Sequence, residues 1–186
     1  MRTSGSRWSR AALVVALYLA LGVAGLLWSV LRGHPLIWRL EGRADPQVLA
    51  GAAAGLLMGF GLVFAWQLAA HRFDWVRALH RDFRARLGPL SGVDCVVFAG
   101  ASALGEELFF RGALLPVVGL WWSNVAFALL HVGPKARYLP WTAASLLTGV
   151  MFGQLFLWSG DLTGAVVAHF TVNFLNLRHL ARHELP

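Results

Sequence analysis

Charge is scarce in this 186-residue chain: Asp, Glu, Lys and Arg together make 13% of it, about half the share of a typical soluble domain. That shortage speaks against a soluble globular protein. Cysteine is scarcer still, with Cys95 alone, which excludes an internal disulfide and a thiolate cluster for zinc or iron–sulfur. Cys95 reads as a small hydrophobe buried in an apolar helix. No HExxH helix is present. With 20 Gly and 7 Pro, the composition is far from that of a linker or a repeat.

What fills the chain is apolar: 58% of residues are hydrophobic and the mean hydropathy is +0.61. They lie in blocks of about 20, the length that crosses a bilayer as a helix. The expected fold is an all-α polytopic membrane bundle, one domain over 1–186, with about six transmembrane helices and one amphipathic surface helix. The spans fall at about 11–31, 48–70, 93–115, 120–132, 139–158 and 162–177. The first has too long an apolar core for a signal peptide and reads as a retained span. A short polar connection, 32–47, follows it. The second carries Gly51, Gly55 and Gly59, a small flat ridge on which another helix can sit closely. The fourth is short for a full crossing at 1.5 Å per residue.

Residues 71–90 are the most polar stretch. Phe73, Val76, Leu79, Phe83 and Leu87 recur at helical spacing among five arginines, so an amphipathic helix lying on the membrane is expected, ended by Gly88–Pro89. A net charge of +7 is compatible with nucleic acid, but its placement argues against that partner. Twelve of the sixteen basic residues lie at 2–10, 72–86, 135–137 and 178–182, and only Arg32, Arg39 and Arg43 fall in the opposite set of connections. This bias orients the helices in the lipid bilayer as a multi-pass protein with both termini cytoplasmic. Trp28, Trp38, Trp121, Trp122, Tyr138, Trp141 and Trp158 are expected in the interfacial aromatic belt. His34, His71, His80, His179 and His183 fall in polar flanks, where solvation accounts for them. Asp94 reads as the head of its helix, and Asp161 with Thr163 as a turn and helix start.

Three ionisable residues lie where none is expected. Glu106, Glu107 and Arg111 sit in the third span, where each charge costs roughly 2.5–3.5 kcal/mol at mid-membrane. Glu107 and Arg111, four residues apart, share a face and can pair. Glu106 is turned about 100° away and lacks that partner, which suits it to take a proton from water. The fourth span places Phe127 and His131 on one face, and the last does the same with His169 and Asn173. This inventory fits water attack on a carbonyl. Glu106 takes the proton, His131 orients the water, and His169 with Asn173 donates to the oxyanion.

EELFFR at 106–111, FALLH at 127–131 and HFTVN at 169–173 resemble the EExxxR, FxxxH and HxxxN motifs of the CPBP intramembrane proteases. That family takes in the CAAX prenyl endopeptidases and the bacterial Abi proteins. The resemblance runs over about 91–177, the expected catalytic core. It implies a glutamate-dependent intramembrane endopeptidase without a cofactor, acting on a membrane-associated peptide or protein. It also implies catalytic Glu106, His131, His169 and Asn173, supported by Glu107, Arg111 and Phe127. Many members have eight spans, so helices shaping a prenyl groove are expected to be missing here. Bacterial relatives look like enzymes that cut peptide pheromones, bacteriocin precursors or sorting signals. Three other readings share these residues. One is a zinc-dependent protease using His131, His169 and a Glu. Another is a non-catalytic immunity or peptide-binding protein. The last is a small transporter with the two glutamates as a proton relay.

Overall fold

The computed structural model describes the backbone of residues 5–182 and the side chains of residues 12–182. The side chains of Arg2, Arg7, Arg10 and His183, which enter the charge and flank arguments, lie outside the described residues. Helix α1 spans Gly5–Leu31, α2 Val48–Arg72, α3 Asp74–Leu87 and α4 Gly92–Glu107. From α4 the chain runs directly into a π-helical segment, Leu108–Leu114, and then α5, Leu115–Leu129. A 3-10 turn at Ala136–Tyr138 leads to α6, Leu139–Ser159, and α7 is Thr163–Arg182.

The fold is all-α, and among the described residues four stretches are long and apolar enough to cross a membrane: Ala12–Leu31, Val48–Arg72, Gly92–Leu129 and Ala136–Ser159. Four such stretches stand where six spans were expected, for two reasons. The expected third and fourth spans form one continuous helical stretch, broken only at Gly119, whose φ of 80° and ψ of 170° are non-helical. Past this point the chain folds back, since Ser123 Oγ donates to the Phe110 carbonyl at 2.7 Å. The last expected span, α7, carries His169, Thr171, Asn173, Asn176 and Arg178, too polar a load for the same class.

The glycine ridge of α2 packs as its spacing predicts, and its partner is α7, which runs parallel to it. A Cβ on Gly55 would lie 2.1 Å from the Gly164 carbonyl oxygen, and one on Gly59 2.7 Å from Thr171 Cβ. Backbone meets backbone here, so no rotamer change makes room. We expect Gly55→Ala to lower stability by about 1–3 kcal/mol in a denaturing-detergent titration. Gly61→Ala, two turns along on the open face with nothing within 4 Å, should leave the midpoint unchanged or slightly raised.

Helix α1 lies on α4 in the same way and also in parallel. Gly105 faces the backbone of Tyr18, and Gly25 faces that of Phe109. The connection 32–47 is not merely polar. Ile37 is buried against Gly112, and Leu40 N–H donates to the Gly160 carbonyl at 3.0 Å. Leu162 N–H donates to the Trp38 carbonyl at 2.9 Å. The connection thus clasps the α6–α7 turn, which Gly160 makes in the left-handed region with φ 71°.

Helix α3 is amphipathic as expected. Val76 and Leu79 are buried against the bundle, and Gly88 ends the helix with φ 71°. Asp82 holds Arg137 at 2.6 Å, and Arg84 donates to the Leu180 carbonyl at 2.7 Å, so the helix is tied to both neighbouring ends. Two expectations change here. His80 is buried and meets the His179 ring edge-on at 5.4 Å rather than lying in solvent. Tyr138, expected in the aromatic belt, is also buried, with Arg137 donating to its hydroxyl. Trp121, Trp122 and Trp158 are exposed as a belt requires, whereas Trp38 donates to Thr163 Oγ1 at 3.1 Å. Cys95 is fully buried, and Asp94 forms a capping box with Ser91 at the head of α4.

Candidate active site

The site is built where α4 passes into the π segment. Pro116 has no N–H for the carbonyl four residues back and crowds it, so the hydrogen-bond ladder before it is reset to the wider π pattern. Such segments recur at functional sites. Here the widened turn carries Arg111 inward until it is fully buried.

Four groups hold Arg111. Its Nη1 donates to Glu107 Oε1 at 2.9 Å, and its Nη2 donates to Asn124 Oδ1 at 3.2 Å and to the Gly149 carbonyl at 3.0 Å. The guanidinium also lies over the Phe127 ring, 4.4 Å from its centroid, a favourable face for a cation. A Cβ on Gly149 would come within 2.6 Å of Asn124 Oδ1, so glycine is required for this clamp to close. Arg111 thus ties the π segment to α5 and α6. The expected Glu107–Arg111 pair is present, within a larger network.

Glu107 does more than pair with Arg111. The same oxygen, Oε1, lies 2.8 Å from His169 Nδ1. A carboxylate oxygen accepts, so Nδ1 carries the hydrogen. The tautomer of His169 is thereby set, and its Nε2 is turned toward Glu106, 3.8 Å from Oε2. That separation is too long for a hydrogen bond but lets one water touch both atoms. Glu106 Oε2 has no hydrogen-bond partner among the described residues, although the side chain is only 6% exposed. An unpartnered buried carboxylate oxygen facing an imidazole nitrogen is the kind of exception that marks a functional group. The Phe152 ring stacks on His169 at 5.4 Å and closes the other side.

His131 stands one step away. It lies just beyond α5, and Phe127 separates it from His169, with centroid distances of 4.6 and 6.3 Å. Its Nδ1 bonds the Phe127 carbonyl at 2.9 Å, which leaves Nε2 uncommitted among the described residues. Its ring also meets Trp141, which lines a cleft of about 160 Å³ between α3 and the α5–α6 connection. Asn173, one turn beyond His169, donates to Ser102 Oγ at 2.8 Å. That hydroxyl in turn donates to the Ala99 carbonyl at 3.2 Å.

The polar groups singled out in the sequence therefore cluster around α4, α5 and α7. Glu106, Glu107, His169 and Arg111 are in direct contact, Asn173 is one turn below, and His131 lies across one ring. The sequence argument missed Ser102, Asn124 and Phe152. Among the described residues no group of three or more His, Cys, Asp or Glu is arranged to hold a metal ion. The zinc alternative, which requires His131, His169 and a glutamate to converge, is disfavoured by that arrangement.

Comparison with known proteins follows the same residues. Residues 89–175 match the family model described as type II CAAX prenyl endopeptidase Rce1-like. This stretch carries all three motifs. The chain is also similar to the uncharacterized protein YpbD of Bacillus subtilis, with 36% identity over 74 residues. That alignment covers 38% of this chain and 37% of the relative's length. No solved structure matches.

Proposed function

We propose that this protein is an intramembrane endopeptidase of the CPBP type, a glutamic protease that hydrolyses a peptide bond in a membrane-associated peptide or protein. The observation that carries the reading is the unpartnered Glu106 Oε2 facing His169 Nε2 across 3.8 Å, with Glu107 behind the imidazole.

In this mechanism a water bound to Glu106 loses a proton to Oε2 as its oxygen attacks the carbonyl carbon. The negative charge moves to the carbonyl oxygen. The Asn173 amide held by Ser102 is the donor for that oxygen, and His169, with its Nδ1–H on Glu107, accepts from the same water at Nε2. The tetrahedral species then collapses: the C–N bond breaks, and the proton on Glu106 passes to the leaving nitrogen. Arg111 remains paired with Glu107 and keeps that carboxylate in place. Few waters reach so buried a site, so fixed donors act strongly on the developing charge.

The membrane arrangement that goes with this has six crossing segments, counting the two arms on either side of Gly119 and α7, with both termini cytoplasmic. The parallel pairs α1/α4 and α2/α7 suit that count, as does the placement of basic residues on α3 and near the end of α7. The bacterial relative supports a bacterial plasma membrane, and we assign the catalytic core to 91–177.

The test is co-expression with a library of tagged membrane-proximal peptides, comparing the protein with its Glu106→Gln variant and mapping cleaved bonds by mass spectrometry. Cleavage that needs Glu106 and survives exhaustive chelation is the expected result. An immunity or peptide-binding protein would protect or bind equally well with Gln at this position.

A further inference from the structure

An asparagine side chain has two ends, and the HxxxN pattern does not say which of them faces a site. The amide nitrogen donates and the amide oxygen accepts, so only one orientation of Asn173 serves an oxyanion. An amide oxygen turned the same way would repel it. What decides the orientation lies on α4, outside the three motifs.

Helices α4 and α7 run antiparallel through the site, in register. Glu106 faces His169 at 3.8 Å, and one turn along Ser102 faces Asn173 at 2.8 Å. Ser102 and Glu106 are four residues apart, as are His169 and Asn173, so each pair shares a face of its helix. Ser102 is buried, and its hydroxyl hydrogen is spent on the Ala99 carbonyl at 3.2 Å, within its own helix. A serine hydroxyl has one hydrogen, so Oγ has only lone pairs left to offer α7. The Asn173 oxygen would meet those lone pairs as one acceptor against another. The Asn173 nitrogen meets them as a donor, and one of its two N–H groups remains for the oxyanion.

We infer that Ser102 is a positioning residue that sets the Asn173 amide with its nitrogen toward the reacting carbonyl oxygen. It acts through the amide and not on the substrate. Without the Oγ acceptor, nothing on α4 distinguishes the two ends of that side chain, and the flipped amide presents an oxygen where a donor is needed. The inference rests on the hydrolase reading, since it assigns Ser102 a part in that reaction.

Ser102→Ala removes the acceptor, while Ser102→Thr keeps a hydroxyl that can bond back to its own helix in the same way. Proton–nitrogen correlation spectra contain the side-chain amide resonances of Asn173, assigned by their absence from Asn173→Ala, and these report the bond with no substrate present. They should move in Ser102→Ala and stay close to wild type in Ser102→Thr. With a peptide found in the library, Ser102→Ala should lower kcat about 3- to 10-fold, the range for one neutral hydrogen bond. KM should hold, and Ser102→Thr should recover most of the rate. In the Asn173→Ala background Ser102→Ala should cost nothing more, because the amide it orients is gone. Unmoved Asn173 resonances, a kcat equal to wild type, or the same loss repeated without Asn173 would each overturn the assignment. Moved resonances with no cleavage by the wild type would defeat the hydrolase reading itself and leave Ser102 a structural partner of Asn173, ending the positioning role as well.

Discussion

Replacing Glu106 by Gln is expected to slow cleavage by about 10²–10⁴-fold, the range supplied by a positioned general base, with no loss of stability. The two side chains have nearly the same shape. What disappears is the oxygen that takes the proton from water. The stability half of the prediction is as informative as the rate. Glu106 is 5% exposed and its Oε2 has no hydrogen-bond partner among the described residues, an arrangement that costs free energy in the folded state. Neutralising it should leave the unfolding midpoint in place or raise it. A residue whose removal damages the rate and spares the fold is kept for chemistry.

The largest structural effect is expected at Arg111. Arg111→Met should destabilise the protein by about 3–5 kcal/mol, the cost of breaking a buried pair by removing one partner. Met fills much of the volume, so the loss is electrostatic and hydrogen-bonded in origin. Glu107 would keep His169 but lose its balancing cation, and Asn124 Oδ1 and the Gly149 carbonyl would lose their shared donor. Arg111→Lys should recover only part of this, since an ammonium cannot reach Glu107 and both other acceptors in the planar fork geometry of the guanidinium. Titration with a denaturing detergent measures both variants. Arg111→Met at the wild-type midpoint would mean that the clamp contributes nothing to the fold.

How much of this was legible depended on what the membrane does to polar groups. Glu106, Glu107, Arg111, His131, His169 and Asn173 stood out because apolar spans leave such residues no water, so each needs a partner or a purpose. The Glu107–Arg111 pair followed from helical spacing alone, and the α2 glycines announced a close contact without naming α7. The packing of α1 on α4 was out of reach because its register is set by glycine contacts that no local pattern encodes. The second bond of Glu107, to His169, lies 62 residues away in sequence. The π segment was hidden too: Pro116 signalled a break, but its effect falls on the residues before it. His80 looked solvated because its flank is polar, yet α3 folds it against the end of α7. Six expected spans and four long apolar stretches differ at Gly119 and α7, where a turn inside one apolar stretch and a polar load on another escape a rule based on length and hydropathy.

One measurement bears most directly on the claim that Glu106 and His169 act on a single water and the intermediate it forms. Single-turnover cleavage rates of Glu106→Gln, His169→Ala and the double variant complete a cycle between the two side chains. Groups that act as a unit lose their effect together, so the double variant is predicted to be no more than a few-fold slower than the slower single one. A double variant slowed by the full product of the two separate losses would contradict a shared reaction centre.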